Sequence, residues 1–166
     1  MNLYKTYIRP TLEYNTPIWT PHLISDIKNA EKVQRYFTRR LCQKLNIKFD
    51  NYNDRLEFLK LDSLEIRRVK FDLILMFKLC KGLIDINFCD FSTPSSLISN
   101  YNLRGHSLRL HVPKFSGSSA RENFFSSRII STWNNLPEEV VNAPNLFVFK
   151  TLLDKFDLGS IYASKL

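Results

Sequence analysis

The acidic side chains of this 166-residue sequence show no spacing that would support catalysis. A nucleotide polymerase needs clustered carboxylates that hold two metal ions close together. The sequence contains no Asp-Asp pair, and its acids are scattered, usually beside a basic residue. Asp50, Asp54 and Glu57 could converge in three dimensions, but a solvated helix face explains them better. We therefore predict that the chain has no catalytic residues.

The histidines and cysteines also lack the spacing of metal ligands. His106 and His111 are five residues apart on a predicted strand, so their side chains point to opposite faces. Cys80 and Cys89 are too far apart for a zinc knuckle, and no Cys-x-x-Cys motif occurs. Together with Cys42 they form an odd, widely spaced set, which favours free thiols in a reducing compartment. We predict no metal site and no cofactor in this chain.

A line of basic residues is the clearest pattern in the sequence. The net charge is +8, and such an excess is typical of proteins that bind polyanions. Lys28, Lys32, Arg35 and Arg39 recur at intervals of four, three and four residues, so they share one helix face. Such a face can contact phosphates without reading sequence; a solvated helix face is the alternative. The other candidate nucleic-acid-binding residues are Arg67, Arg68, Arg104, Arg121 and Arg128.

Helical periodicity dominates the first half of the chain. Apolar residues have helical spacing over 2–14, with Pro10 among them, so we expect a kink there. Ser25 is a suitable N-cap for a second helix that runs to about Lys44. The face of this helix opposite the basic line is apolar, and we expect it to pack inward; its members are Ala30, Val33, Phe37 and Leu41.

Two further helices follow in this half. A short one is predicted over 53–60, and Ser63 should cap a long one that ends near Lys81, before Gly82. The stretch 73–77 is apolar nearly all round, so we expect it to be central to the bundle. This stretch is also the longest apolar run, and it is far too short to cross a bilayer. We therefore predict no membrane partner.

The second half of the chain is more mixed. Periodicity is lost over 84–103, which predicts a linker. Alternation over 106–112 predicts a short half-buried strand, and helices are expected over 120–133, after Pro137 and over 145–156. The fold class is therefore predicted as mainly α: a helical bundle over 1–83, the linker, and a region over 104–158 with one short β element. The helices of that region should form a second layer packed through Phe124, Phe125, Trp133 and Phe149.

Several sequence blocks occur in an order and spacing known from one protein family. They are LYKTYIRPTLEY at 3–14, PIW at 17–19, EKVQR at 31–35, RLEFLKL at 55–61, SLEIRR at 63–68, MFK at 76–78 before Gly82, RGHSL at 104–108, NFFSSR at 123–128, WNNLP at 133–137, VV at 140–141 and FKTLLD at 149–154. Together they resemble the region after the palm of reverse transcriptases from non-LTR (LINE-type) retrotransposons, the jockey-like group especially. The similarity covers about residues 3 to 157.

This resemblance implies a thumb-like bundle with a C-terminal tail, preceded in the full-length protein by an endonuclease, fingers and palm. The Tyr/Phe-x-Asp-Asp motif of the palm would end before Met1, so we expect this chain not to be an enzyme. Its full-length parent would be an RNA-directed DNA polymerase that uses Mg²⁺ in the missing palm. The zinc knuckle of some family branches has no cysteines here to form it.

The resemblance also implies partners and a location. The partners would be RNA and DNA, as a template–primer duplex, and the missing upstream parts of the polymerase. The implied location is intracellular, in the nucleus. Two alternatives remain open. One is a structural or protein-interaction scaffold with no nucleic-acid role, and the other is a stand-alone enzyme with a cryptic acidic site around Asp50, Asp54 and Glu57.

Overall fold

The computed structural model describes residues 2–98, 105–113 and 119–159. These residues are mainly helical, which confirms the predicted fold class. The chain divides into two compact units, Met1–Arg68 and Val69–Leu166. The division falls inside the third long helix, whereas the sequence placed the bundle boundary near residue 83. Part of the predicted linker, 99–103, lies outside the described residues.

The N-terminal unit opens with a change of helical winding. A π-helical turn over Tyr4–Ile8 continues into helix α1 over Arg9–Glu13. Pro10 lacks an N–H donor, and its ring crowds the carbonyl of the preceding turn. The wider turn before it accommodates both effects, since such local widening is a common cause of helix bends. The irregularity expected at Pro10 is therefore present as a wide turn.

Two more helices complete this unit up to the long helix. They are α2 over Ile24–Lys44 and α3 over Tyr52–Phe58. Ser25 is not the N-cap of α2, because the helix begins at Ile24 and Leu23 occupies the cap position without a side-chain bond. The Ser25 hydroxyl instead lies 3.4 Å from a carboxylate oxygen of Asp26. The predicted length of α2 is correct, but its predicted cap is wrong.

The long helix α4 spans Leu64–Cys80. The Ser63 hydroxyl accepts the N–H of Ile66 at 3.2 Å, which confirms the predicted cap. Gly82 follows the helix with φ of +62°, a conformation that glycine adopts without strain. Leu73 and Met76 have no solvent exposure and Phe77 is 1% exposed. The stretch predicted to be central is therefore buried through these three side chains, whereas Ile74 and Leu75 are half-buried.

The helices that follow α4 in the described part of the C-terminal unit are mostly short. A 3₁₀ turn covers Phe88–Asp90. The remaining helices are α5 (Ser95–Ile98), α6 (Ser119–Glu122), α7 (Phe125–Arg128), α8 (Ile130–Asn134), α9 (Glu138–Val141) and α10 (Leu146–Lys155). The single helix expected over 120–133 is thus three short ones. α10 agrees with its prediction and is capped by Asn145, whose side chain accepts the N–H of Val148 at 2.9 Å.

Aromatic rings form the centre of the C-terminal unit. Phe77 and Phe149 stack with ring centroids 4.2 Å apart, and the Trp133 ring lies 6.3 Å from Phe149. Phe125 is also buried, as expected. Phe124 was expected in this core but is 49% exposed, because it precedes α7 in extended backbone and its side chain is left outside. The predicted packing is therefore correct for three of the four aromatics.

The strand expected over 106–112 is not formed. Within the described residues this segment makes one isolated antiparallel bridge, between Pro94 and Leu110. The Asn134 side chain pairs with both backbone groups of Leu110. Its amide oxygen accepts the Leu110 N–H at 2.9 Å, and its NH₂ donates to the Leu110 carbonyl at 2.8 Å. The Trp133 indole likewise donates to the Leu108 carbonyl at 2.9 Å. Side chains of α8 therefore satisfy backbone groups that a neighbouring strand would otherwise pair.

Candidate nucleic-acid interface

A buried polar network determines which way α2 faces. The side chains of α2 that are buried are Glu31, Gln34, Thr38 and Cys42. The Gln34 amide accepts the Tyr4 hydroxyl at 2.7 Å and donates to the Tyr52 hydroxyl at 3.0 Å and to the Asp62 carbonyl at 2.9 Å. Both the oxygen and the nitrogen of this buried side-chain amide therefore have hydrogen-bond partners.

Glu31 is the second centre of this network. Its Oε1 accepts the Tyr52 hydroxyl at 2.5 Å, and its Oε2 accepts the Leu64 N–H at 3.0 Å, at the first residue of α4. A carboxylate is favourable there, because the first N–H groups of a helix have no partner within it. Burial, followed by the bond to Glu31, strongly raises the pKa of Tyr52. Burial also raises the pKa of Tyr4 to about 12. Both phenols remain protonated donors.

The inward face of α2 is therefore not the predicted apolar face. Val33, expected to pack inward, is 40% exposed, and Ala30, Phe37 and Leu41 are half-buried. Phe37 does contact the core edge, since its ring stacks on Tyr4 at 4.4 Å. Hydrogen-bond partners from three other segments hold the polar side chains of α2 inward. The buried face of α2 therefore does not follow the hydrophobic pattern of its sequence.

The basic line of α2 remains on the outside. Lys28, Lys32, Arg35 and Arg39 are all exposed and fall within an arc of about 60° at 3.6 residues per turn. None of them forms an ion pair with a carboxylate in the part of the chain that the structure describes. We call these four residues the basic face. It borders the buried polar face instead of lying opposite the inward side.

Two members of the basic face have neutral contacts that restrict their side chains. The Lys32 ammonium donates to the Asn29 side chain at 2.8 Å. The Arg35 guanidinium lies over the Tyr52 ring, 4.1 Å from its centroid. Neither contact neutralises charge, and a cation on an aromatic face keeps its N–H donors available at its edge. The same tyrosine that bonds Glu31 therefore also positions one cation of the basic face.

A shallow depression of about 230 Å³ adjoins the basic face and is lined by Tyr36, Arg39, Arg40 and Gln43. Tyr36 is 63% exposed, and Arg40 Nε donates to its hydroxyl at 3.2 Å. Exposed aromatic rings beside arginines are suited to contact with bases and sugars next to a phosphate contact. Tyr36 and Arg40 were not among the residues predicted from the sequence, although both have the periodicity of an exposed helix edge.

Arg67 and Arg68 were predicted as phosphate contacts, but the structure gives them internal partners. Arg67 donates two hydrogen bonds to the carboxylate of Glu13, one of them at 3.0 Å. Arg68 is only 3% exposed; it donates to the Leu12 carbonyl at 3.1 Å and lies 5.4 Å from the Trp19 ring centroid. These arginines tie α1 to the start of α4, so neither belongs to an open basic surface.

The remaining predicted arginines lie in the C-terminal half. Arg128 makes a bidentate pair with Asp72, at 2.9 and 3.0 Å, and donates to the Asn123 carbonyl at 3.0 Å. It therefore also serves the fold. Arg121 is exposed, and Arg104 lies outside the described residues. Among the eight predicted residues that the structure describes, the four α2 cations are the ones brought together on one exposed face.

The three acids considered for a cryptic site lie on the surface of the described residues. Asp50, Asp54 and Glu57 are all exposed, and no three His, Cys, Asp or Glu side chains there are grouped so that they could hold a metal ion. Burial raises the pKa of the Cys80 thiol to about 12, which keeps it protonated and unreactive. No helix within the described ranges is both long and apolar enough to span a membrane.

The similarity of this chain to known proteins covers part of its length. No protein-family model matches it, and no solved structure does. It is similar to an uncharacterized protein of Caenorhabditis elegans, with 30% identity over 67 residues. The match covers 40% of this chain and 34% of that protein, so it spans about a third of the relative's length.

Proposed function

We propose that this chain is an accessory, duplex-binding part of an RNA-directed DNA polymerase of the non-LTR retrotransposon type. In this proposal the basic face of α2 contacts the phosphate backbone of a template–primer duplex. The observation that carries the proposal is the exposure of Lys28, Lys32, Arg35 and Arg39 on one arc without a carboxylate partner in the described residues. The sequence blocks that resemble this polymerase class support the assignment of the parent protein.

The charge arrangement favours a polyanionic partner over a purely structural role. Cations spaced three and four residues apart on a helix repel each other, by a few tenths of a kcal/mol per pair. The nearest acid on α2 that could offset them, Glu31, is buried in the polar network. Glu13, the acid of α1, is paired with Arg67. Glu31 and Glu13 are therefore both engaged inside the unit, whereas the four cations of the basic face stay exposed.

The dimensions of the basic face suit a backbone contact. Eleven residues separate Lys28 from Arg39, which corresponds to about 16 Å along the helix axis. Phosphates on one strand of a duplex rise by about 3.4 Å each, so the face spans roughly five of them. Contacts of this kind fix the position of a duplex without reading its bases. Binding should therefore be independent of sequence.

The same proposal assigns the chemistry to other parts of the protein. The chain itself contributes no catalytic group, and Mg²⁺ with its carboxylates would belong to a palm upstream of this segment. The resemblance supports a nuclear location for the parent protein. The proposal would be contradicted if this chain alone incorporated nucleotides and a change of one of its own acidic residues abolished that activity.

Two variants with equal loss of charge test the proposal. The first changes Lys28, Lys32, Arg35 and Arg39 to Gln. The second changes four cations away from the basic face to Gln: Lys5, Lys48, Lys150 and Lys155, all of them exposed. Affinity for RNA–DNA hybrid duplexes of several unrelated sequences is measured by fluorescence anisotropy at fixed salt. The first variant should lose at least about tenfold in affinity for every duplex, and the second should lose much less.

A protein-interaction scaffold is the second candidate, and one observation favours it. Val33 and Tyr36 leave apolar surface open on α2, at 40% and 63% exposure. Such surface is common on soluble proteins when the residues are scattered. Equal duplex binding by both Gln variants and the unmodified chain would favour the scaffold over the polymerase part.

A further inference from the structure

The C-terminal unit contains an open cavity of about 340 Å³. Three segments line the cavity. They are the segment that follows the 3₁₀ turn over Phe88–Asp90, the end of the segment whose Leu110 forms the isolated bridge, and the region from α6 to α7. The His111 N–H donates to the Thr93 carbonyl at 2.9 Å, which holds two of these walls together. This volume lies at the lower end of the range of small-molecule sites.

One wall of the cavity carries a buried polar group that the fold leaves unsatisfied. Ser92 is only 7% exposed, yet its hydroxyl has no hydrogen-bond partner among the described residues. Buried hydroxyls in folded proteins are nearly always hydrogen-bonded, so such a group needs an explanation. Ser92 lines the cavity, so rotation about its Cα–Cβ bond could turn this hydroxyl towards a ligand held there.

The other lining residues indicate the chemistry of that ligand. Ser126 and Ser127 add two hydroxyls, His111 an imidazole, and Arg121 an exposed guanidinium. A guanidinium with hydroxyl donors is a common arrangement for binding phosphate. The described residues of the lining include no carboxylate, so none of them would repel an anion.

Aromatic side chains supply the second element of recognition. Phe124 lines the cavity with nearly half of its surface in solvent, and Phe91 is half-buried beside it. A planar base stacks on such a ring with a gain that does not depend on which base it is. The exposure of Phe124 leaves its ring available for stacking.

We propose that this cavity binds one nucleoside monophosphate unit, with its phosphate at Arg121 and the serine hydroxyls and its base against Phe124. The unit could be a free nucleotide or a nucleotide of a single strand, since both present the same chemistry. The proposal does not rest on the duplex-binding function, because it concerns other residues in the other unit. It would stand even if the basic face of α2 bound nothing.

Calorimetric titration of the full chain with adenosine 5′-monophosphate tests this site. We expect saturable binding of one molecule per chain, weaker binding of inorganic phosphate, and a loss of about tenfold, or about 1.4 kcal/mol, in Arg121→Gln. Ser92→Ala should weaken binding about threefold without lowering the melting temperature, because its hydroxyl has no protein bond to lose. Phe124→Ala should weaken binding of the nucleotide but not of phosphate.

Matched controls use exposed residues elsewhere in the same unit. Lys150→Gln, Ser96→Ala and Phe147→Ala should leave nucleotide affinity unchanged, since these side chains are exposed and do not line the cavity. A 5′-phosphorylated single-stranded oligonucleotide distinguishes the two sources of the ligand. About tenfold tighter binding than the mononucleotide identifies a strand, and equal binding identifies a free nucleotide.

Three results would overturn the proposal. One is the absence of saturable nucleotide binding by the folded chain. The second is equal affinity for phosphate and nucleotide, which would leave no role for the aromatic wall. The third is binding that Arg121→Gln and Ser92→Ala leave unchanged while circular dichroism shows both variants folded.

Discussion

The phenol of Tyr52 donates a 2.5 Å hydrogen bond to Oε1 of Glu31, and the other oxygen of this carboxylate accepts the N–H of Leu64 at 3.0 Å. One buried side chain of α2 thus bonds both α3 and the first residue of α4. These two bonds fix the rotation of α2 about its own axis. The basic face is exposed as a consequence, because it borders the side that Glu31 holds inward.

Replacing Glu31 by Ala should destabilise the chain by about 3 kcal/mol. The change leaves the Tyr52 hydroxyl and the Leu64 N–H buried without their acceptor, at about 1–3 kcal/mol for each group. Urea denaturation followed by circular dichroism measures the loss. Glu57→Ala, on the exposed face of α3, should change stability by no more than about 0.5 kcal/mol. Equal effects of the two variants would mean that the network does not hold α2.

Arg128→Met should destabilise the C-terminal unit by about 3–5 kcal/mol. Burial raises the pKa of Asp72, and the bidentate bond from Arg128 opposes that rise. Without the guanidinium the carboxylate is buried and unpaired, which is the costly case. The double variant Asp72→Leu with Arg128→Met should recover much of the loss. Thermal melts of both, with Arg121→Met as the exposed control, provide the test; no recovery in the double variant would contradict the pairing.

The contact between Ser107 and Glu138 should make stability depend on pH. The Ser107 side chain, chiefly, lowers the pKa of the Glu138 carboxyl, and the Ser107 N–H contributes as well. Because the folded-state pKa is the lower one, the contact stabilises the fold above the pKa of an unfolded glutamate, about 4.3, and this gain is lost as pH falls through the folded value. Carbon NMR titration of Glu138 should show a higher pKa in Ser107→Ala. An identical titration curve in both proteins would contradict this.

Asn134→Ala should expose the backbone of Leu110 to exchange. The Asn134 side chain bonds both the N–H and the carbonyl of Leu110, so its removal leaves both groups without a partner, at a cost of about 1–3 kcal/mol. Hydrogen exchange followed by NMR should show reduced protection of the Leu110 amide. Asn135→Ala, at the exposed neighbouring position, is the matched control. Unchanged protection in Asn134→Ala would mean that the segment is held by other contacts.

The positions of the long helices could be predicted from local sequence. The bounds of α2, α4 and α10 follow from helical periodicity, from the Ser63 cap and from Gly82. The rotation of α2 could not be predicted in this way. Its inward face consists of polar side chains, and their burial is stabilised by Tyr4, Tyr52 and Leu64, which are 18 to 33 residues away in the sequence. Hydrophobic periodicity contains no information about such partners.

The predicted arginines show that local sequence was also insufficient to predict which residues belong to the candidate site. In the sequence alone, nothing distinguishes Arg67 and Arg128 from the exposed cations of α2. Their acceptors, Glu13 and Asp72, are 54 and 56 residues distant, so the pairing depends on the tertiary fold. The basic face itself was predictable, because the spacing of four residues on one helix is a local property.

The central claim is that the basic face of α2 contacts backbone phosphates, and the salt dependence of duplex binding tests it most directly. Affinity for an RNA–DNA hybrid is measured over a range of salt for the unmodified chain and for the variant with Gln at Lys28, Lys32, Arg35 and Arg39. If each cation neutralises one phosphate, the slope of log affinity against log salt should be less negative in the variant by about 3 to 4. Equal slopes and equal affinities, with the variant folded by circular dichroism, would contradict the claim and leave the basic face as a solvated surface.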